Sequence, residues 1–420
     1  MPRGTKNPLL LKAVILAVAL QEIGGGAVAP VIATMIADNP DTAAITIMIV
    51  STISFLAIAL TSAVYSKVES LFPKRPLTIF SILLFCVTGI APVFMGSNIP
   101  LIIAARFCFG ISIGILVPLV MTLINDFYSG QERARMLGYV QTSGSIGGIL
   151  FQTLGGVLGT ISWHYCFLAY LVSLLVLAFA FFALPNPPRR AEANVPLHDR
   201  PSDQDPEAPA VAKASMLFLY ASFCIYMMCI ITFVNNLSIL MADNGWGGAD
   251  IAGLCLSAHT FAGMISSILF GKAYGKLDKN ALPAASGIGC VALGVLYMSS
   301  SLAMVVIGSV LLGVSASTTM AGFFNWFSIM GGRSRSSFFT SLGVCAQNLG
   351  QFVATYILAA IPGAMGGSFG RDAFLVAVVA CCVVAVSLSA YMKLSKRADV
   401  VLKEDRLFDP SPSTQQVIPG

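Results

Sequence analysis

Residues 13–35 read AVILAVALQEIGGGAVAPVIATM. The run is apolar on every face and long enough to cross the hydrocarbon core of a bilayer, which takes about 20 residues of helix. It holds one amide, Gln21, and one carboxylate, Glu22, followed by Gly24, Gly25, Gly26 and then Pro30. The basic residues before it, Arg3, Lys6 and Lys12, suit a signal peptide. The apolar stretch is too long for one, however, and no small-residue cleavage pattern closes it, so a retained first span is expected.

Working outward, eleven more apolar runs of similar length follow, at 45–65, 77–95, 100–124, 137–160, 164–184, 215–240, 251–273, 282–300, 303–326, 338–361 and 372–392. Backbone in lipid must satisfy its own hydrogen bonds, so each run reads as a helix. The composition agrees. The 420-residue chain is 56% hydrophobic and only 10% charged, against about 25% charged in ordinary soluble domains. That excludes a soluble enzyme, a nucleic-acid binder and a disordered chain. The fold class expected is an all-α membrane protein with twelve transmembrane helices.

The charges orient it. With the N-terminus in the cytoplasm, all but two of the 24 Lys and Arg fall on cytoplasmic segments. This is the positive-inside bias. It places both termini in the cytoplasm and makes the protein multi-pass in a cell membrane; the short loops suggest a bacterial inner membrane. The exceptions are Arg106, inside span 4, and Arg371, in the last external loop. Trp163 and Trp246 fall at outer helix ends and Trp326 at an inner one, where interfacial belts are expected.

Residues 185–214 carry seven prolines and nine charged residues. Such a segment cannot bury a core and reads as a flexible cytoplasmic linker. It divides the chain into an N-terminal six-helix bundle (1–184) and a C-terminal one (215–392), with a cytoplasmic tail at 393–420. The halves look duplicated. Ala37-Asp38-Asn39 matches Ala242-Asp243-Asn244, Tyr65-Ser66-Lys67-Val68-Glu69 matches Tyr274-Gly275-Lys276-Leu277-Asp278, and Arg133-Ala134-Arg135 matches Arg333-Ser334-Arg335. Parallel repeats of six spans are one of the transporter plans.

Amides, imidazoles and charges in lipid are costly and face a bundle interior or a wet cavity. They are Gln21 and Glu22 in span 1, Arg106 in span 4, Gln141 and Gln152 in span 5, Asn235 and Asn236 in span 7, His259 in span 8, Asn325 in span 10, and Gln347, Asn348 and Gln351 in span 11. Spans 3, 6, 9 and 12 carry none away from their ends and read as lipid-facing.

With these features the chain resembles the major facilitator superfamily of secondary transporters over residues 13–392. The span-4 motif R-x-x-x-G-x-x-x-G is met by Arg106, Gly110 and Gly114. The loop motif after span 2, G-x-L-a-D-r-x-G-r-K, is met in part by Ser66-Lys67-Val68-Glu69-Ser70-Leu71-Phe72-Pro73-Lys74-Arg75, both glycines being replaced. The span-5 motif of drug:proton antiporters, G-x8-G-x3-GP-x2-GG, keeps Gly138, Gly147, Gly155 and Gly156, but Phe151-Gln152 replaces its Gly-Pro. The resemblance implies two pseudo-symmetric six-helix bundles about a central cavity, with helices 3, 6, 9 and 12 peripheral.

Glu22 is the only carboxylate well inside a span. It can carry a coupling proton or bind a cationic substrate, or it can form a static pair with Arg106 or a bond to backbone. Arg106 can pair with Glu22, bind a substrate carboxylate, or serve the structure alone. His259 reads more simply as a neutral hydrogen-bonding residue than as a proton relay. Gln21, Asn235, Asn236, Asn325, Gln347, Asn348 and Gln351 can orient a polar substrate or bond between helices; Gln347 and Gln351 share a helix face. The resemblance implies a cytoplasmic gate of ion pairs among Glu69, Asp126, Arg133, Asp278 and Arg333.

No Gly-Lys-Ser/Thr phosphate loop exists, so ATP is not the energy source. No cofactor, metal cluster or nucleophile–base set is expected, and the ten cysteines read as packing residues. The protein is expected not to be an enzyme but a monomeric secondary transporter. Its partners are a small-molecule substrate, protons as coupling ion and the lipid bilayer, with no nucleic acid. The leading function is proton-coupled efflux of a small hydrophobic or cationic organic compound. The alternative is uptake or facilitated diffusion of a small organic acid or sugar-like solute, with Arg106 as the anion contact.

Overall fold

A computed structural model describes residues 8–128, 130–185, 213–277, 280–364 and 370–394. The greater part of the expected linker and tail therefore lies outside the described residues, as does Asp278. Regular structure among the described residues is helical throughout: α1 (Pro8–Ala19), α2 (Ile32–Asp38), α3 (Ala44–Leu71), α4 (Lys74–Ile90), α5 (Ile99–Phe127), α6 (Gly130–Gly159), α7 (Val172–Ala183), α8 (Lys213–Asn244), α9 (Ala249–Leu277), α10 (Ala281–Tyr297), α11 (Leu302–Ala364) and α12 (Arg371–Leu394). Eight helices are long and apolar enough to span a bilayer, and the bent pair Leu9–Ala19 with Gly24–Asp38 makes a ninth. The other three crossings expected from sequence are the serine- and glutamine-bearing α6, the short apolar α10 and the second arm of α11.

Two of these elements differ from the sequence expectation. The first span is not one helix. It breaks after Ala19, turns through Leu20–Ile23, and continues as 3-10 turns over Gly24–Ala27 and Ala29–Val31 before α2, with a bend of 49°. Three consecutive glycines and a proline favour such a break, since glycine resists helix and Pro30 lacks a donor. Spans 10 and 11, expected as separate helices, run without a break in helical backbone as α11. A straight helix of that length would reach about 95 Å, three times the hydrocarbon core. It does not stay straight: Gly343 packs on the rings of Phe324 and Phe327, and Tyr220 both stacks on Phe327 and bonds the Phe339 carbonyl. The two arms lie side by side.

Buried side chains form two main cores, one from Leu11 to Leu184 with Ala249 added, the other from Leu219 to Met392 with Ala29 added. These are the interiors of two six-span bundles. Exposed apolar side chains occur on every span, among them Phe80 and Val87 on α4, Leu175 and Phe182 on α7, Leu254 and Ile268 on α9, and Val379 and Val386 on α12. Lipid is the natural neighbour of such surfaces. Trp163 and Trp326, expected at the interface, are instead 2% exposed, and Trp163 stacks on His164.

The bundles meet along three seams: α6 on α9, α3 on α11, and the first span on α8 and α9. The bonds across them run from the middle toward the end opposite the basic loops. Thr153 bonds Ser257, Thr260 donates to Gln152 Oε1, Thr355 donates to Thr52, and the Ala33 amide faces Ser238 Oγ. Ile32, Met48 and Ile239 close a small apolar cluster there. Toward the basic end Tyr139, Ile146, Ile265 and Ile268 stand exposed on α6 and α9. The conformation is closed at the end opposite the basic loops.

Candidate functional site

The break in the first span organises the site. Gln21 and Glu22 lie in its non-helical turn, at the point where transporters with discontinuous helices place their binding groups. Four glycines of α6 allow the turn to lie against that helix. A Cβ at Gly147 would overlap the Leu20 carbonyl, one at Gly155 the Ala27 carbonyl, one at Gly148 would stand 2.9 Å from Ile23 Cγ2, and one at Gly144 would stand 2.8 Å from Glu22 Oε2.

A break frees backbone carbonyls that lipid cannot satisfy. Arg106 answers this need. It is wholly buried, and its Nη2 donates to the Gly25 carbonyl (3.3 Å), Nε to the Val50 carbonyl (3.3 Å) and Nη1 to Tyr170 Oη (2.9 Å). Tyr170 in turn donates to the Gly24 carbonyl (2.9 Å). The guanidinium also lies over the Phe109 ring, 4.2 Å from its centroid, a favourable cation–π arrangement. Phe85, Phe109, Phe151 and Tyr170 form an aromatic cluster, of which Phe109 and Tyr170 face the guanidinium. Gly110 and Gly114, from the same motif, let α5 approach the α3 backbone at Ser54 and Ile58. Arg106 is thus spent on backbone and tyrosine, not on Glu22.

The Glu22 carboxylate is half-buried and has no hydrogen bond or ion pair among the described residues. It lines a small recess with Val18, Ala19, Leu116, Val117, Val120, Met121 and Val140. Those walls are aliphatic. Gln21 beside it is 1% exposed, and neither amide atom finds a partner.

The other candidates are dispersed. Asn235 and Asn236 are buried on α8 and line a separate chamber with Thr232 and Thr355. His259 stands against the Phe233 ring with Nδ1 unpartnered. Asn348 is buried and bonds the Val344 carbonyl on its own helix. Asn325, Gln347 and Gln351 are partly exposed. Of the expected gate residues, Asp126 and Glu69 share one cation, Lys74, which bonds Asp126 Oδ2 and lies 3.0 Å from Glu69 Oε1. Arg133 is exposed. The side chain of Arg333, like all of Asp278, lies outside the described residues.

Three participants were not singled out from sequence. Tyr170 carries a membrane hydroxyl on a span read as featureless. Lys74 sits at a basic position of the partial loop motif, which was the available signal. Thr260 forms the cross-bundle bond to Gln152.

With this geometry in view, the chain matches the family model of the Major Facilitator Superfamily over residues 14–355 and belongs to that family. Its apolar helices and family make it a multi-pass membrane protein. An uncharacterized transporter of Rickettsia felis is 29% identical over 144 residues, 32% of this chain and 34% of that protein. The efflux pump dotC of Dothistroma septosporum is 28% identical over 131 residues, 31% of this chain and 22% of that protein. The chain thus spans about a third or less of the length of the curated relatives it matches. A D-xylose-proton symporter has the same fold, with a TM-score of 0.70 at 14% identity, covering 91% of this chain and 97% of that one.

Proposed function

We propose that the protein is a proton-coupled exporter of a small hydrophobic or cationic organic compound, with Glu22 as the residue that exchanges proton for substrate. The observation that carries this reading is the solitary Glu22 carboxylate in an aliphatic recess at the break of the first span. A carboxylate without a fixed partner is free to take either a proton or a cationic group. Its walls favour an apolar body behind that group. The recess has room for about one water-sized guest, some 10 Å³, so an ammonium-sized headgroup reaches Glu22 while the rest of the compound lies in the space between the bundles. We assign partly exposed Asn325, Gln347 and Gln351 to that remainder.

The positive-inside charge bias supports cytoplasmic termini, the short loops suggest a bacterial inner membrane, and with that orientation the conformation described is inward-facing. Rocking of 1–184 against 215–392 about the central site supplies alternating access. The Glu69–Lys74–Asp126 clasp belongs to the cytoplasmic gate, which Arg133, Asp278 and Arg333 complete. The similarity to a fungal efflux pump points the same way. Uptake of an organic acid would need a cation at the site, and each nitrogen of Arg106 already donates one bond within the N-terminal bundle, which favours the export reading.

The test is proton release from purified, detergent-solubilised protein on adding lipophilic amines, wild type beside Glu22→Gln. Release by the wild type that disappears in the variant is the expected result. Binding of equal strength to both, without proton release from either, would overturn the reading and leave Glu22 a structural residue.

A further inference from the structure

A second polar chamber lies between the bundles, away from the Glu22 recess. Asn235, Asn236 and Thr232 of α8, Thr355 of α11 and Met48 of α3 line it, with room for about one water-sized occupant, some 10 Å³. Asn235 and Asn236 are 3% and 6% exposed, and the Oδ1 atoms of both are buried without a partner. Buried amide oxygens without partners are costly and call for an occupant.

The polarity of the lining decides what that occupant is. Asn236 Nδ2 donates to the Thr232 carbonyl (2.9 Å), which fixes its oxygen as the free atom, since a flipped amide would set oxygen against oxygen. Thr232 donates to the Met228 carbonyl, Thr355 donates to Thr52 (2.8 Å), and Thr52 donates to the Met48 carbonyl. The hydroxyl hydrogens are therefore committed elsewhere, so both hydroxyls and both amide oxygens present lone pairs, while the Asn235 amide nitrogen, without a hydrogen bond among the described residues, adds N–H groups to the wall. A guest held by acceptors fits, either a water, which donates to them, or a hard cation, which takes oxygen ligands. No carboxylate lines the chamber, so the site offers dipoles but no countercharge. This suits a single positive charge and not two.

We propose that this chamber is a sodium-ion site formed by Asn235, Asn236, Thr232 and Thr355. It is assembled only while α3, α8 and α11 are together, because Met48 and the Thr52–Thr355 bond close it from opposite bundles. Sodium bound there favours the conformation closed at the end opposite the basic loops, by mass action on the state that holds the site. The assignment is independent of the role proposed for Glu22.

The test is equilibrium binding of radioactive sodium to the purified full-length protein in choline chloride, beside thermal unfolding in NaCl, KCl and choline chloride at equal ionic strength. Saturable binding, displaced by unlabelled sodium, and a melting temperature highest in NaCl are expected. Thr355→Val and Asn235→Leu should each weaken binding at least tenfold, Thr355→Ser should retain it, and Glu22→Gln should bind as wild type does. Absence of saturable binding by wild-type protein that elutes monodisperse and melts cooperatively would overturn the proposal and assign the chamber to water. Binding that survives in both Thr355→Val and Asn235→Leu, or that is lost in Glu22→Gln, would overturn it by placing the ion elsewhere.

Discussion

Arg106 gives a hydrogen to Tyr170 Oη at 2.9 Å, and Tyr170 passes its own to the Gly24 carbonyl at the same distance. Two residues from different helices thereby cap a break in a third. Leaving one buried polar group unsatisfied costs about 1–3 kcal/mol. Tyr170→Phe is therefore expected to lower the melting temperature of the detergent-solubilised protein by several degrees. Arg106→Lys should lower it further, because three donors on one compact nitrogen cannot reach acceptors spread around a guanidinium plane, nor stack on Phe109 as that plane does. Equal melting of Tyr170→Phe and wild type would mean that water replaces the hydroxyl.

The glycine face of α6 gives a second expectation. Gly147→Ala sets a methyl group into the Leu20 carbonyl, whereas a methyl group at Gly138 would meet nothing within 4 Å. Gly147→Ala should yield little folded protein or abolish transport, and Gly138→Ala should behave as wild type. Size-exclusion profiles and a transport assay on both variants separate the two; a functional Gly147→Ala would refute the close approach of α6 to the break.

The clasp at the basic end should contribute modestly. Lys74, Glu69 and Asp126 keep side-chain exposures of 20%, 24% and 10%. Pairs of this kind contribute up to about 1 kcal/mol and weaken with salt. Asp126→Asn is expected to melt slightly below wild type at low salt, with the gap closing as NaCl rises. A gap that persists in molar salt would show that the contact is not chiefly ionic.

The bond between Thr52 and Thr355 joins α3 to α11 across the seam. The pair Thr52→Cys with Thr355→Cys should cross-link under mild oxidation and stop transport, and reduction should restore it. With a protease site engineered into 185–214, the cross-link keeps the two halves together on a denaturing gel. Failure to cross-link would mean that these helices do not approach at this level.

The fold was readable from the sequence because a bilayer imposes a minimum apolar length and penalises charge, and both leave long, countable runs. Glu22 was singled out for the same reason, as the one carboxylate well inside an apolar run. The partnership of Arg106 was not, because its acceptors are carbonyls exposed by a break, and which carbonyls a break exposes depends on tertiary packing. Tyr170 was missed because an aromatic ring counts as apolar while its hydroxyl does the bonding. The Asp126 cation lies 52 residues away in the chain, beyond any local pattern, so the nearer Arg133 was the natural but different choice. The helical conformation between the arms of α11 was hidden because the polar stretch there reads as a loop.

The glycines that seat α6 on the first span also bear on how this sequence is able to drift. Every single-base change in a glycine codon that alters the residue adds at least one carbon, so at Gly144, Gly147, Gly148 and Gly155 no missense step leaves the contact as it was. A saturation library should show a barren stripe along one side of α6, while Gly138, Gly287 and Gly294, which face open space, accept alanine freely. Descendants of this chain are thus expected to keep that stripe unchanged even where their substrates diverge, and to explore new specificity on the walls around Glu22 instead.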